Sequence, residues 1–356
     1  MITINMVSKA DMVQGQGVLS AHDEQVKLVR EELAGRFRVV ENSRASCDIT
    51  HFHTINLDFV PRLLRARRKG TAVGYVHFLP ETLENSIHLP YLAKRAFYWY
   101  VIRFYKSMNY LVTVNPYFID RLEAYGIDRK KVSYIPNFVS AEQFYPIADK
   151  AALREAWKLD RERFTVLCVG QLQKRKGVLD FLEIARKMPQ AQFLWAGDFS
   201  FGRISDGYEQ IRKVVANPPE NVRFLGLIPR ERMNELYNLA DVMFLPSYEE
   251  LFPMTILESM NCGVPILLRD LPIYENILFD YYLRATDNEG FLSELNRLAE
   301  DPDYYQGAAG KSWEGHVFYS REHVAGMWRY FYEGVALQET EINPQLAELP
   351  KRVRKA

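Results

Sequence analysis

Short apolar runs alternate with amphipathic stretches twice over along the 356 residues, and this pattern constrains the chain more than any other feature. Strands covered on both faces read as continuous apolar runs, and the amphipathic stretches between them read as covering helices, so the expected fold class is α/β with parallel, doubly wound sheets. Residues 2–7, 37–40, 49–52, 71–76 and 110–114 read as strands of a first domain. Residues 165–169, 192–196, 222–225, 242–245 and 265–268 read as strands of a second. Between them a turn-rich stretch, 135–149, carries Pro136, Asn137 and Pro146. The expected organisation is therefore one domain over 1–150 and a second over 151–315. Residues 316–356 add a late aromatic helix, about 320–334, that packs back on the first domain, and a polar tail.

Composition removes several classes. The length favours two domains with large cores, and 48% hydrophobic against 25% charged residues is ordinary globular usage, which fits neither wholesale disorder nor a polytopic membrane protein. Cys47, Cys168 and Cys262 are odd in number, distant and set among apolar neighbours, as for buried thiols in a reducing compartment. Residues 1–9 show no basic leader, so a cytoplasmic protein is expected. Charge is balanced overall, 45 basic and 45 acidic, but residues 1–140 hold 19 Lys and Arg against 13 Asp and Glu. Nine of those cations fall between Phe59 and Tyr110, opposed only by Glu81 and Glu84, a patch that attracts phosphate-rich partners. No nucleic-acid reader motif accompanies it, so a nucleic acid is not the expected partner.

In doubly wound sheets ligands bind beyond the carboxyl ends of the strands, which directs attention to the loops there. After residues 165–169 comes Gly170-Gln-Leu-Gln-Lys-Arg-Lys-Gly177, a basic loop entering a helix near Val178. Arg175 and Lys176 at that helix start suit a diphosphate, although the sequence is no Walker loop. After residues 242–245 comes a loop with Glu250, then Phe252, Pro253, Met254 and Thr255 at a helix start, then Glu258 one turn inside it. Backbone N–H groups there and a carboxylate able to meet paired hydroxyls suit a ribose or a hexose.

These motifs resemble the retaining GT-B glycosyltransferases of family 4. Glu250 and Glu258 match the family's Glu-x7-Glu, Gly170, Leu172, Lys176 and Gly177 match its Gly-x-Leu-x3-Lys-Gly loop, and Pro136 with Asn137 matches a Pro-Asn turn before its linker. The likeness implies two Rossmann-like domains facing a central cleft and a nucleotide-sugar donor, UDP-glucose or UDP-galactose, held mainly by the second. It implies that Lys176 meets the diphosphate, Glu258 the ribose, and Glu250 with the 252–255 backbone the sugar. Gln171 stands where the family often has arginine, and Arg175 is the substitute candidate. His77, after the strand 71–76, corresponds to a histidine that contacts the donor sugar. Gly15 and Gly17, after the opening strand, let backbone approach a phosphate or sugar. Retention implies same-face attack, with the acceptor proton passing to the departing phosphate.

Two other features admit rival readings. Gly15-x-Gly17-x-x-Ser20 with Glu41 mimics a dinucleotide fingerprint, but its first glycine comes late after the strand and its third is missing, which disfavours a nicotinamide oxidoreductase. Asp301-Pro-Asp303 reads as a helix stop and turn rather than a metal-binding pair; no metal and no cofactor are expected.

On the acceptor side, residues 91–112 are strongly aromatic but interrupted by cations, so they cannot span a membrane. Phe97, Tyr100, Val101, Phe104 and Met108 share a helical stripe expected in the core, which leaves Arg95, Trp99, Arg103 and Lys106 as a surface suited to anionic lipid headgroups. Within the family, the opening residues 4–17, His77 to Thr82, Gly170 to Gln173 and Trp195 to Gly202 most resemble the bacterial enzymes that extend glucosyl-diacylglycerol to the glycolipid anchor of lipoteichoic acid. The expected acceptor is thus a membrane glycolipid, probed from the inner face of the cell membrane by a peripheral protein. The rival acceptor is an exopolysaccharide or undecaprenyl-linked one.

Overall fold

The computed structural model describes residues 1–9, 17–80, 90–199, 207–250 and 252–346. In chain order the first part runs β1 (Ile2–Val7), α1 (Gly17–Glu32), β2 (Phe37–Glu41), β3 (Ile49–Phe52), α2 (Val60–Lys69), β4 (Thr71–Val76), α3 (Tyr91–Lys106), β5 (Tyr110–Thr113), α4 (Tyr117–Ala124) and β6 (Val132–Tyr134). The next runs α5 (Lys150–Ala156), β7 (Thr165–Val169), α6 (Val178–Lys187), β8 (Gln192–Ala196), α7 (Tyr208–Ala216), β9 (Val222–Gly226), α8 (Met233–Leu239) and β10 (Val242–Leu245). Last come α9 (Met254–Asn261), β11 (Ile266–Arg269), β12 (Leu283–Ala285), α10 (Asn288–Glu300), α11 (Pro302–Phe318) and α12 (Arg321–Leu337).

The chain divides into two compact units, Met1–Phe138 with Arg321–Ala356, and Val139–Ser320. Each holds one six-stranded, all-parallel sheet, β2-β1-β3-β4-β5-β6 in the first and β12-β11-β10-β7-β8-β9 in the second. The expected boundary near residue 150 is displaced. Residues 139–149 belong to the second unit because its side chains hold their backbone: Asn234 Oδ1 accepts from Tyr145 N at 3.0 Å and Asn238 Oδ1 from Ile147 N at 2.6 Å. Asp301 also does more than stop a helix. It ends α10 and caps α11, accepting from Tyr304 N at 3.0 Å, with Pro302 at the first helical position where its missing N–H costs nothing.

In the first unit α12 packs into the core beside α1, burying Trp328, Phe331, Tyr332 and Val335 against residues such as Ile4, Met6, Val29, Phe37 and Tyr75. Burying four such side chains contributes on the order of 2 kcal/mol each, enough to return the chain to this sheet after the second unit. Embedded here are His22, His51 and His53, with His77 just beyond β4. The His51 and His53 rings lie 4.3 Å apart, those of His22 and His53 4.5 Å, and His77 stacks on Tyr75 at 4.2 Å. His51 Nδ1 shares a 2.8 Å hydrogen bond with the Tyr332 hydroxyl. Burial, and then the neighbouring imidazoles, hold His51 and His53 well below the usual histidine range, and His77 is lowered to about 3.

That clustering makes the unit acid-sensitive. An unfolded imidazole takes a proton near 6.5, whereas the folded unit keeps these three neutral at lower pH, so between the two values the unfolded state binds more protons. Stability is retained above about pH 6.5 and falls as pH drops, by about 1.4 kcal/mol per pH unit per histidine. Urea unfolding followed at pH 7 and pH 5 should show the midpoint falling, and the fall should be shallower in His77→Gln. An equal midpoint at both pH values contradicts this.

Candidate functional site

In the second unit the connections run outward from β7 through β8 to β9, then return to β10 beside β7 and run outward the other way. The loops after β7 and β10 therefore leave adjacent strands in opposite directions, and a crevice opens between them at the carboxyl ends. Residues 170–177 form the first loop, ending in a short 3-10 turn, Lys174–Lys176, directly before α6. Residues 246–250 belong to the second, which leads to α9.

The two loops are joined. Tyr248 N donates to the Arg175 carbonyl at 2.8 Å, and Arg175 Nη1 donates to the Glu249 carbonyl at 3.2 Å. Between them Lys176 Nζ donates to Glu250 Oε1, with only 12% and 5% of the two side chains exposed. Removing either partner of so enclosed a pair would leave a charge without compensation. Gly177 permits the approach. Its φ is +74°, and a Cβ added there would sit 2.5 Å from the Pro246 carbonyl oxygen. Behind the second loop the buried Arg269 donates from Nε to the same carbonyl at 3.0 Å and lies over the Tyr248 ring at 4.0 Å.

Glu258, one turn into α9, is 3% exposed and does not bond to the Lys176 pair. Arg230 Nη1 donates to its Oε1 at 2.7 Å and the Tyr237 hydroxyl to its Oε2 at 2.6 Å. Burial, and then the adjacent carboxylate, push the Tyr237 phenol well above its ordinary range, so it stays a proton donor. Arg230 in turn lies over Phe144, 5.0 Å from its centroid. Two of the carboxylate's acceptor positions are thereby fixed, and two lone pairs remain for hydroxyls. Sequence reasoning missed Arg230 and Tyr237, which stand 28 and 21 positions from Glu258 with no spacing rule to link them.

The other expected donor-side residues fall around this crevice with different contributions. Gln171 accepts from Gln173 Nε2 at 2.8 Å, and Arg175 is turned to the second loop as described. Phe252 is buried against Tyr319, ring centroids 5.5 Å apart, so only its backbone can meet a ligand. Pro253 precedes α9, and Met254 and Thr255 form its first turn, where backbone N–H groups have no partner within the helix. Thr255 Oγ1 and Ser247 Oγ are buried without a hydrogen-bond partner among the described residues.

In the first unit His77 follows β4. Its ring is enclosed, Nε2 has no hydrogen-bond partner among the described residues, and burial keeps it neutral, so it can act as a hydrogen-bonding group but not as an imidazolium acid. Gly15 lies outside the described residues, and Gly17 is the first residue of α1. On α3, Arg95, Trp99, Arg103 and Lys106 are all exposed, Trp99 to 68%. The opposite stripe is only partly core: Val101, Phe104 and Met108 are buried, whereas Phe97 and Tyr100 are half-buried because the first half of the helix is largely solvated. Among the described residues no helix is long and apolar enough to cross a membrane.

A doubly wound unit with a basic loop and two carboxylates at its switch point is the form of a sugar-nucleotide transferase. Residues 149–308 match the family of glycosyl transferases group 1, and residues 27–143 match glycosyltransferase family 4. The chain belongs to these glycosyltransferases and has the GT-B fold. It is 43% identical to the alpha-galactosylglucosyldiacylglycerol synthase of Streptococcus pneumoniae (strain ATCC BAA-255 / R6), over 93% of this chain and 89% of that protein. It is 25% identical to the processive diacylglycerol alpha-glucosyltransferase of Acholeplasma laidlawii, over 71% and 76%. Among solved structures, sucrose-phosphate synthase from Thermosynechococcus elongatus superposes with a TM-score of 0.75 at 17% identity, covering 95% of this chain and all of that one. The Anabaena protein HepE in complex with UDP and glucose gives 0.72 at 13%, covering 94% and 100%.

The loop junction yields a direct stability test. Gly177→Ala places a methyl against a backbone carbonyl and forces a left-handed φ on an L-residue, so it should cost about 2 kcal/mol or more, read as a lowered thermal midpoint. An unchanged midpoint would mean the loops are not packed as described.

Proposed function

We propose that this enzyme transfers a hexose from a UDP-sugar, with retention, to monoglucosyl-diacylglycerol, giving a diglycosyl-diacylglycerol. The carrying observation is the 43% identity, over 93% of this chain, with the pneumococcal synthase, whose name favours galactose as the hexose. The crevice of the second unit supports the donor side. Lys176 uses one of its three ammonium donors on Glu250, which leaves others for a diphosphate, with Arg175 and the α6 start adding positive potential. Glu258, oriented by Arg230 and Tyr237, would accept from two ribose hydroxyls. Glu250 and the N–H groups of residues 252–255 would position the hexose.

The chemical demand falls on the departing phosphate. As the anomeric bond breaks, negative charge grows on its oxygen, and cations fixed in a dry crevice stabilise that charge more than they stabilise the bound donor. The acceptor hydroxyl forms the new bond on the same face and gives its proton to that phosphate oxygen. Glu250 balances the charge on Lys176 and orients the sugar. No metal or cofactor is assigned a step. The family resemblance assigns donor-sugar recognition also to His77, held neutral, and to Gly15 and Gly17.

The acceptor is membrane-borne in this reading: the enzyme works peripherally on the inner face of the cell membrane, and its product would serve as the glycolipid anchor of lipoteichoic acid. Exposed Arg95, Trp99, Arg103 and Lys106 provide cations and an indole for an anionic interface.

Transfer from labelled UDP-galactose or UDP-glucose into glucosyl-diacylglycerol vesicles tests the reading. Glu250→Gln and Glu258→Ala should each lower kcat/KM by roughly a hundredfold with an unaltered circular dichroism spectrum. Full transfer by both variants, or labelled water-soluble glycan in place of labelled lipid, would overturn it. On the membrane side, Arg95→Ser, Arg103→Ser and Lys106→Ser combined should weaken binding to anionic vesicles, more at low salt than at high. Unchanged binding would place the lipid surface elsewhere.

A further inference from the structure

The first unit contains a cavity of about 300 Å³ that the glycosyl-transfer chemistry does not use. It arises from topology. The connection from β2 to β3, residues 42–48, contains no helix, and beside β1 and β3 this strap and α2 line the cavity. Asn5 and Thr50, paired across β1 and β3, line it. The strap is fixed rather than loose: Asn5 Nδ2 donates to the Ser43 carbonyl at 2.9 Å and Asn5 Oδ1 accepts from Ser43 N at 3.0 Å.

Its lining is cationic. Arg62, Arg65 and Lys69 come from α2 and Arg44 from the strap, against Asp58, whose carboxylate is already bonded to Lys9 at 2.8 Å. Arg65 Nη1 donates to the Arg44 carbonyl at 3.0 Å, which orients one guanidinium along the wall. Arg62 lies over the buried Phe59 ring at 5.6 Å, and its Nη1 is buried with no hydrogen-bond partner among the described residues. The Arg62 side chain adds a fourth cation to the wall beside Arg44, Arg65 and Lys69. Burial pushes the Cys47 thiol up, so it adds no negative charge.

We infer that this cavity is a binding site for a phosphate ester of about glycerophosphate size. Guanidinium forks and an ammonium suit phosphate oxygens, the polar floor suits polyol hydroxyls, and the volume sits at the low end of small-molecule sites. The site lies wholly within the first unit and does not rest on the donor crevice. The phosphate can come from a soluble ester or from a phospholipid headgroup.

The test uses the full chain in two arms: calorimetric titration with glycerol 3-phosphate, and co-sedimentation with vesicles of phosphatidylglycerol in phosphatidylcholine. Arg62→Gln removes one of the four lining cations. Ser46→Trp obstructs the mouth from an exposed loop position, and keeps the test decisive should the first variant fold poorly. Arg67→Gln removes an exposed charge from the same helix outside the cavity. Saturable binding of glycerol 3-phosphate that both cavity variants weaken by roughly tenfold supports a soluble ester. The same loss in the vesicle arm alone supports a headgroup. No binding in either arm, binding unchanged in the folded cavity variants, or an equal loss in Arg67→Gln overturns the assignment.

Discussion

A lysine and a glutamate enclosed together at the end of a parallel sheet are tolerable only because each compensates the other, and the second unit is arranged to hold them so. They come from loops after two neighbouring strands that belong to opposite windings of the sheet. Gly177 allows the backbones to meet, and Arg269 fixes the Pro246 carbonyl from behind. The same residues that bind the loops together also concentrate positive potential where α6 begins. In the proposed reading, stability and donor recognition are therefore two consequences of one junction.

The first unit solves a different problem. Its sheet is closed on one face by a helix that returns after the entire second unit, so Trp328 and Tyr332 reach Tyr75 and His51 from more than 250 positions away. Histidines packed into that aromatic core are kept neutral by burial, which makes them hydrogen-bonding groups at the cost of tolerance to acid. On the sheet's other face the helix-free strap leaves a pocket beside the core. This unit thus holds both buried neutral histidines and a cationic cavity.

Much of this was legible in the sequence. Parallel strands buried on both faces announce themselves as apolar runs, and the basic loop, Glu250 and Glu258 stand at strand ends where chemistry concentrates. β6 and β12 were missed because three residues, Val132–Tyr134 and Leu283–Ala285, are too short to show periodicity. α11 was missed because Gly307, Gly310 and Gly315 break any apolar stripe. The partners of Glu258 and the gathering of His22, His51, His53 and His77 depend on tertiary packing alone, and no local pattern encodes them. The unit boundary shifted from 150 to 138 for a similar reason: Asn234 and Asn238 capture the passing backbone from ninety positions away.

The central claim is that the Lys176 junction receives the diphosphate of a nucleotide sugar. Isothermal titration of UDP into the wild-type chain and into Lys176→Met measures it directly. The account predicts saturable heat with the wild type and at least tenfold weaker binding by the variant, since a charge-assisted contact to phosphate is lost. Equal affinity in the two proteins, or no heat with UDP in the wild type, would contradict it.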